Sequence, residues 1–100
     1  MVLLYVYNMN FKTESNRIYL SGENGNCIAE ITFPNVKEGV VDINHTFVDD
    51  SLRGQGIAGK LMELAVRQIK ANGQKAVCSC SYAQKWFERH EEERDVLTEQ

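Results

Sequence analysis

Apolar and polar positions alternate with a period of two along much of the first half of the chain, which predicts strands, while the second half carries helical spacing. Phe11-Lys12-Thr13-Glu14 and Arg17-Ile18-Tyr19-Leu20 flank the polar pair Ser15-Asn16 and read as a hairpin of two short strands. The turn-rich run Gly22–Asn26 leads into Cys27–Phe33, whose β-branched and aromatic content suits a strand that Pro34 ends. A second turn over Pro34–Gly39 precedes the predicted strand Val40–Val48. In a regular pleat Val41, Ile43, His45 and Phe47 share one face of that strand, and Asp42, Asn44 and Thr46 the other.

From residue 57 the period changes. Ile57, Leu61, Ala65 and Ile69 recur every fourth residue, widened by Ala58, Met62, Leu64 and Val66, opposite Lys60, Glu63, Arg67 and Lys70. This helix runs to Ala71, and Asn72-Gly73 stops it. Lys75–Cys80 then reads as a short buried strand, so strand, helix and strand form a crossover with a parallel pair. Ser81 is a candidate cap for a last helix through Ala83, Trp86, Phe87 and His90, and the charge run Glu91–Arg94 reads as a solvated face. The expected class is therefore α+β, a mixed α/β chain in which an antiparallel meander leads into a strand–helix–strand unit and a C-terminal helix. Residues 1–9 are an N-terminal extension or an added strand, and 10–100 one domain without repeats or linkers.

Composition narrows the partners. One hundred residues with 43% apolar content support a small core without staples, and a net charge of −3 with scattered Lys and Arg offers no basic field for nucleic acid. The apolar run Val2–Tyr7 is far shorter than a membrane span and lacks the flanks of an export signal, so no membrane association is expected. Three cysteines cannot all pair, and Cys78 and Cys80 on one strand would stand about 6.6 Å apart, which favours reduced thiols and a cytoplasmic setting, or a nuclear one in a eukaryote. Cys27, Cys78, Cys80 and the two histidines miss the usual zinc spacings, so no metal is expected.

The chemistry centres on the loop between the Val40–Val48 strand and the helix. Glycines at 54, 56 and 59 let the backbone pass close to a bulky anion, and the helix aims unpaired N–H groups and its positive end at it. A diphosphate is the natural guest. No Lys-Ser or Lys-Thr follows the glycines, as a Walker loop requires, and a meander precedes the loop where a dinucleotide fold would begin with its βα turn.

The spacing Arg53-x-x-Gly56-x-Ala58 resembles the coenzyme A signature of the GNAT superfamily of acetyl-CoA-dependent N-acetyltransferases. Ile43-Asn44-His45-Thr46 before it and Cys78-Ser79-Cys80-Ser81-Tyr82 after it resemble the small single-domain members that carry a His and a Cys at these places. The resemblance implies a GNAT-like sheet in which the parallel strands splay and acetyl-CoA enters the gap as cosubstrate. Phe47 and Val48 would then bond the pantetheine amides. Backbone N–H groups of Gln55, Gly56, Ile57, Ala58, Gly59 and Lys60, in the loop opened by Arg53 and Gly54, would hold the pyrophosphate.

The same resemblance places His45 at the acetyl site, where an imidazole can take a proton from an ammonium nucleophile, with Glu30 as a competing base. It matches the family's cysteine to Cys80, either as acetyl acceptor or as proton donor to the departing thiolate, a task Tyr82 could perform instead. An unperturbed thiol is mostly protonated at neutral pH, so assistance by Cys80 is expected over attack. Larger members carry helices between the first strands that floor the acceptor site, whereas here only short turns do. The function so implied is N-acetylation of an amine or protein lysine, and the alternative is a non-catalytic acetyl-CoA-binding or interaction module. Neither the acceptor nor an oligomeric state is named by the sequence.

Overall fold

The computed structural model describes residues 9–99; apart from Met9, the expected N-terminal extension lies outside the described residues. Strands β1 (Lys12–Glu14) and β2 (Arg17–Ser21) form the expected hairpin, with Lys12 opposite Tyr19 and Glu14 opposite Arg17. β3 (Cys27–Thr32) pairs antiparallel with β2, setting Ile18 against Ile31 and Leu20 against Ala29 on the buried face. Tyr19 and Glu30 therefore meet on the opposite, outer face, because side chains alternate along a strand.

Where the sequence predicts one strand over Val40–Val48, the structure has two. β5 (Val40–Ile43) and β6 (His45–Val48) are interrupted at Asn44. The segment read as a turn also contains a short strand, β4 (Asn35–Lys37), antiparallel to β5. The result is two sheets, ordered β1-β2-β3-β6 and β4-β5-β7, where β7 is Lys75–Cys78, with one chain segment passing from the second to the first. Asn44 stitches the passage: its N–H donates to the Thr32 carbonyl at 3.2 Å, and its side-chain oxygen accepts from the Thr32 hydroxyl at 2.6 Å.

The interruption changes which side chains face the core. Val41 and Ile43 are fully buried, but His45 and Phe47 turn outward while Thr46 and Val48 are half-buried. The shared face predicted for Ile43, His45 and Phe47 is thus corrected. A regular pleat would carry the imidazole into an apolar core, and an irregular residue between two diverging sheets resets the phase.

Helix α1 (Ile57–Ala71) buries Ile57, Leu61, Met62, Ala65, Val66 and Ile69 and packs on β2, β3, β6 and β7. It ends at Gly73, whose φ of +69° is the left-handed conformation a glycine adopts without strain. β7 (Lys75–Cys78) then lies parallel to β5, with Val41 opposite Ala76 and Ile43 opposite Cys78, as the crossover predicts.

β7 is shorter than expected. Ser79 leaves it, donating its N–H and hydroxyl to the Asp42 carboxylate at 2.8 and 2.7 Å. Cys80, not Ser81, is the cap residue of helix α2 (Ser81–Arg89), whose Ala83, Trp86 and Phe87 are buried. His90 stacks on Trp86 at 3.9 Å.

The acidic run that follows is a short 3-10 helix, Glu91–Val96, tied to α1 by Lys70, which meets Glu93 at 2.7 Å and Asp95 at 3.1 Å. Thr98 N–H bonds the Ala76 carbonyl at 2.9 Å, covering part of the outer edge of β7. All three cysteines are free. Among the described residues no helix is long and apolar enough to cross a membrane.

Candidate functional site

The site begins where the two sheets part. Cys80 N–H donates to the Ile43 carbonyl at 3.1 Å, and beyond that rung β6 is an edge strand among the described residues. Asp49 N–H bonds the Ile28 carbonyl at 2.8 Å, which fixes the alternation of the β3–β6 ladder. Phe47 consequently turns its backbone groups to β3, whereas those of Thr46 and Val48 point into the gap and can pair with an extended ligand. Of the two residues the resemblance names, Val48 turns its backbone groups into the gap and Phe47 turns its own to β3, while the neighbouring Thr46 also faces the gap.

At the mouth of the gap lies a cavity of about 400 Å³, walled by Thr46, Phe47 and Val48, by Leu52, Arg53, Gly54, Gly56, Ile57, Ala58 and Gly59, and by Tyr82 from α2. Its loop is shaped locally. The Asp49 carboxylate accepts from the Ser51 N–H at 3.0 Å and hydroxyl at 2.6 Å, bonds that hold its pKa below the usual carboxylate value and start a 3-10 turn over Asp50–Leu52. Buried Leu52 pins that turn to the core. Gly54 and Gly56 then take φ of +83° and +75°, where any other residue would be strained.

The first helical bond of α1 runs from Lys60 N–H to the Gly56 carbonyl at 3.1 Å. The N–H groups of Ile57, Ala58 and Gly59 precede the helical ladder and project from the positive end of the helix, while that of Lys60 is already used. Arg53 pairs with Asp50 at 2.9 Å on the surface. A Cβ built on Gly59 would sit 3.9 Å from the Tyr82 hydroxyl, so Tyr82 stands directly over the glycine shelf. Gln55 Oε1, within the loop, is buried without a hydrogen-bond partner among the described residues, an acceptor that a ligand donor would satisfy. Strand edge, glycine shelf and helix N-terminus together fit an extended arm ending in a diphosphate.

The titratable residues fall on two sides of β6. On the outer face, His45 Nε2 stands 3.5 Å from Glu30 Oε1, and the other Glu30 oxygen bonds Arg17 Nε. The Arg17 guanidinium also lies 3.7 Å over the Tyr19 ring and 3.6 Å from Glu14. On the inner face, Thr46 Oγ1 is 3.6 Å from Cys80 Sγ. The structure therefore brings Cys80 to Thr46 rather than to His45.

Tyr82 reaches the cavity from the first turn of α2, and burial, the largest influence on it, pushes the pKa of its phenol up. Burial likewise pushes the Cys78 thiol up to about 12, aided by the negative charge of Asp42, so Cys78 is a packing residue. The Arg17–Glu30 link and Thr46 were not singled out from sequence. The former joins residues on antiparallel neighbours, and only a register that sets Tyr19 opposite Glu30 could have shown it.

The sequence model of the GCN5-related N-acetyl-transferase family matches residues 17–96. Among solved structures, a GCN5-like protein from Staphylococcus aureus assigned as an N-acetyltransferase is 33% identical and superposes with a TM-score of 0.76 over 93% of this chain and 91% of its own. The fold is shared by a protein from Agrobacterium tumefaciens assigned as an acetyltransferase, at 22% identity and a TM-score of 0.60 over 88% of this chain and 69% of that one. It is shared too by a GNAT-family acetyltransferase from Staphylococcus aureus Mu50, at 15% identity and a TM-score of 0.59 over 74% of this chain and 50% of that one. No protein of curated function matches the chain in sequence.

Proposed function

Because the chain belongs to the GCN5-related N-acetyltransferase family, we propose that it transfers the acetyl group of acetyl-CoA to a primary amine, such as a protein lysine, by direct attack with both substrates bound. The observation that carries this reading is the cavity at the parting of the sheets, where a free strand edge runs into a glycine shelf and three helix-terminal N–H groups. When bound, acetyl-CoA supplies an activated acetyl thioester. Thr46 and Val48 align its arm through backbone bonds, and the amides of Ile57, Ala58 and Gly59 hold its pyrophosphate.

The acceptor then approaches from the other side of β6, along the outer face of the first sheet that carries Tyr19, Glu30, His45 and Phe47. His45 takes a proton from the incoming ammonium, and the Glu30 carboxylate 3.5 Å away balances the imidazolium so formed. On the coenzyme side a protonated donor is needed for the departing sulfur. Tyr82, a phenol whose pKa burial pushes up, lines the cavity and would serve that task, with Cys80 behind Thr46 as the second candidate, and residues 10–100 form one catalytic domain in this reading.

Isothermal calorimetry with acetyl-CoA tests the reading. Heat of binding is expected with the wild-type chain and not with Gly56→Glu, which puts a strained backbone and a carboxylate where the diphosphate would lie. A wild-type chain that gives no heat would refute it.

A further inference from the structure

We propose that Thr46 connects Cys80 to the coenzyme site, so that the hydroxyl and the thiol act as one proton-donating pair. The inference rests on the acetyl-transfer reading above and concerns only how the sulfur leaving group is protonated. Its basis is a matter of order in space. Thr46 lines the cavity, whereas Cys80 does not, and Thr46 Oγ1 lies 3.6 Å from Cys80 Sγ. Cys80 is fixed there from both sides, since its N–H bonds the Ile43 carbonyl at 3.1 Å and its carbonyl accepts from Gln84 N–H at 3.1 Å. The break at Asn44 is what turns the Thr46 side chain toward α2; without it the phase of β6 would be reversed.

The proton accounting closes. His45 removes a proton from the acceptor ammonium, and the nitrogen releases a second to solvent as the C–N bond forms. The C–S bond breaks with its electron pair on sulfur. Sulfur takes the Thr46 hydroxyl proton while Thr46 takes the Cys80 thiol proton. A thiol thus replaces a thiol, so the exchange costs little, and the Cys80 thiolate, bonded by the Thr46 hydroxyl, is reprotonated from solvent.

The test reads the sulfur directly. Iodoacetamide alkylation of Cys80 at neutral pH is followed by peptide mass spectrometry in the wild-type chain, Thr46→Val and Thr46→Ser, with Cys27 in the same sample as internal control and circular dichroism as a check on folding. Loss of the hydroxyl bond should slow alkylation of Cys80 about tenfold in Thr46→Val, and Thr46→Ser should restore it, with Cys27 unchanged throughout. Equal Cys80 rates in all three chains would overturn the pair. Release of coenzyme A thiol with spermidine as the amine probe gives a second reading: Thr46→Val, Cys80→Ala and their double variant should all lose the same factor, as members of one unit do. Losses that multiply, or a Thr46→Val chain as fast as wild type beside a slow Tyr82→Phe, would assign the proton to Tyr82. Absence of acetyl-CoA binding to the wild-type chain would remove the functional reading and the pair together, whereas binding with unchanged Cys80 alkylation would remove the pair alone.

Discussion

Val40–Ile43 and His45–Val48 are separated by one residue and differ in almost every physical respect. The first is buried between sheet and helix, pairs in parallel with β7 and holds Val41 and Ile43 at 0% exposure. The second is an edge strand, pairs antiparallel with β3, and leaves Phe47 at 39% exposure and the His45 side chain at 52%. The first half anchors the sheet; the second has no strand neighbour on one side among the described residues, which leaves backbone groups and polar side chains exposed there. In the proposed reading stability and chemistry therefore fall on adjacent stretches of one segment, and substitutions should separate them.

The largest effect is expected in the anchored half. Ile43→Ala leaves a cavity in the core and should cost about 2–5 kcal/mol of stability, read as a drop in the urea midpoint. His45→Gln, two residues on, should leave the midpoint within about 0.5 kcal/mol of wild type. It should slow acetyl transfer to an amine about 100-fold, with acetyl-CoA binding retained. A His45 variant that unfolds the chain, or one of full activity, would erase the distinction between the halves.

The junction itself comes next. Asn44→Ala removes the 2.6 Å bond with the Thr32 hydroxyl and should cost about 1 kcal/mol in chemical denaturation. Turnover should fall as well, because Asn44 sets the phase of both His45 and Thr46. The two cysteines sharpen the contrast at the other wall of the gap. Cys80→Ala should keep acetyl-CoA binding and lower turnover about tenfold, and intact-mass spectrometry of the wild-type chain with acetyl-CoA should show no stable acetyl adduct on Cys80. Cys78, with its thiol pushed up to about 12, should resist iodoacetamide at neutral pH.

The smallest effect concerns Tyr82. Its folded pKa lies above the usual 10.0 because burial disfavours the phenolate, so the unfolded chain ionises first. Its contribution to stability is then complete below about pH 10 and is lost as pH rises through the higher folded value. A phenolate absorbance titration in which Tyr82→Phe removes a component at or below the usual value would contradict this.

Much of the fold was legible because local signals agreed with one another. The fourfold spacing of Ile57, Leu61, Ala65 and Ile69, the turn at Ser15-Asn16 and the β-branched run after Cys27 each use a period or a propensity that survives packing. The glycine loop was legible for the same reason, since positive φ at Gly54 and Gly56 is a local requirement. The limits of β7 were less so: Ser79 leaves the strand for the Asp42 carboxylate, a partner 37 residues away in sequence that no window around Ser79 contains.

The sequence by itself determined the order of elements, the crossover, the glycine-rich loop and the residue types available for acid–base work, because each depends on neighbours within a few positions. Only the tertiary structure decided which side of β6 those residues occupy. Two sheets that diverge cannot both be served by a regular pleat, so the segment breaks at Asn44, and that one interruption sends His45 to Glu30 on the outer face and Thr46 to Cys80 on the inner one. A strand read alone has a period but no partner to fix its phase, and the phase is what sets the imidazole and the thiol on opposite sides of the strand.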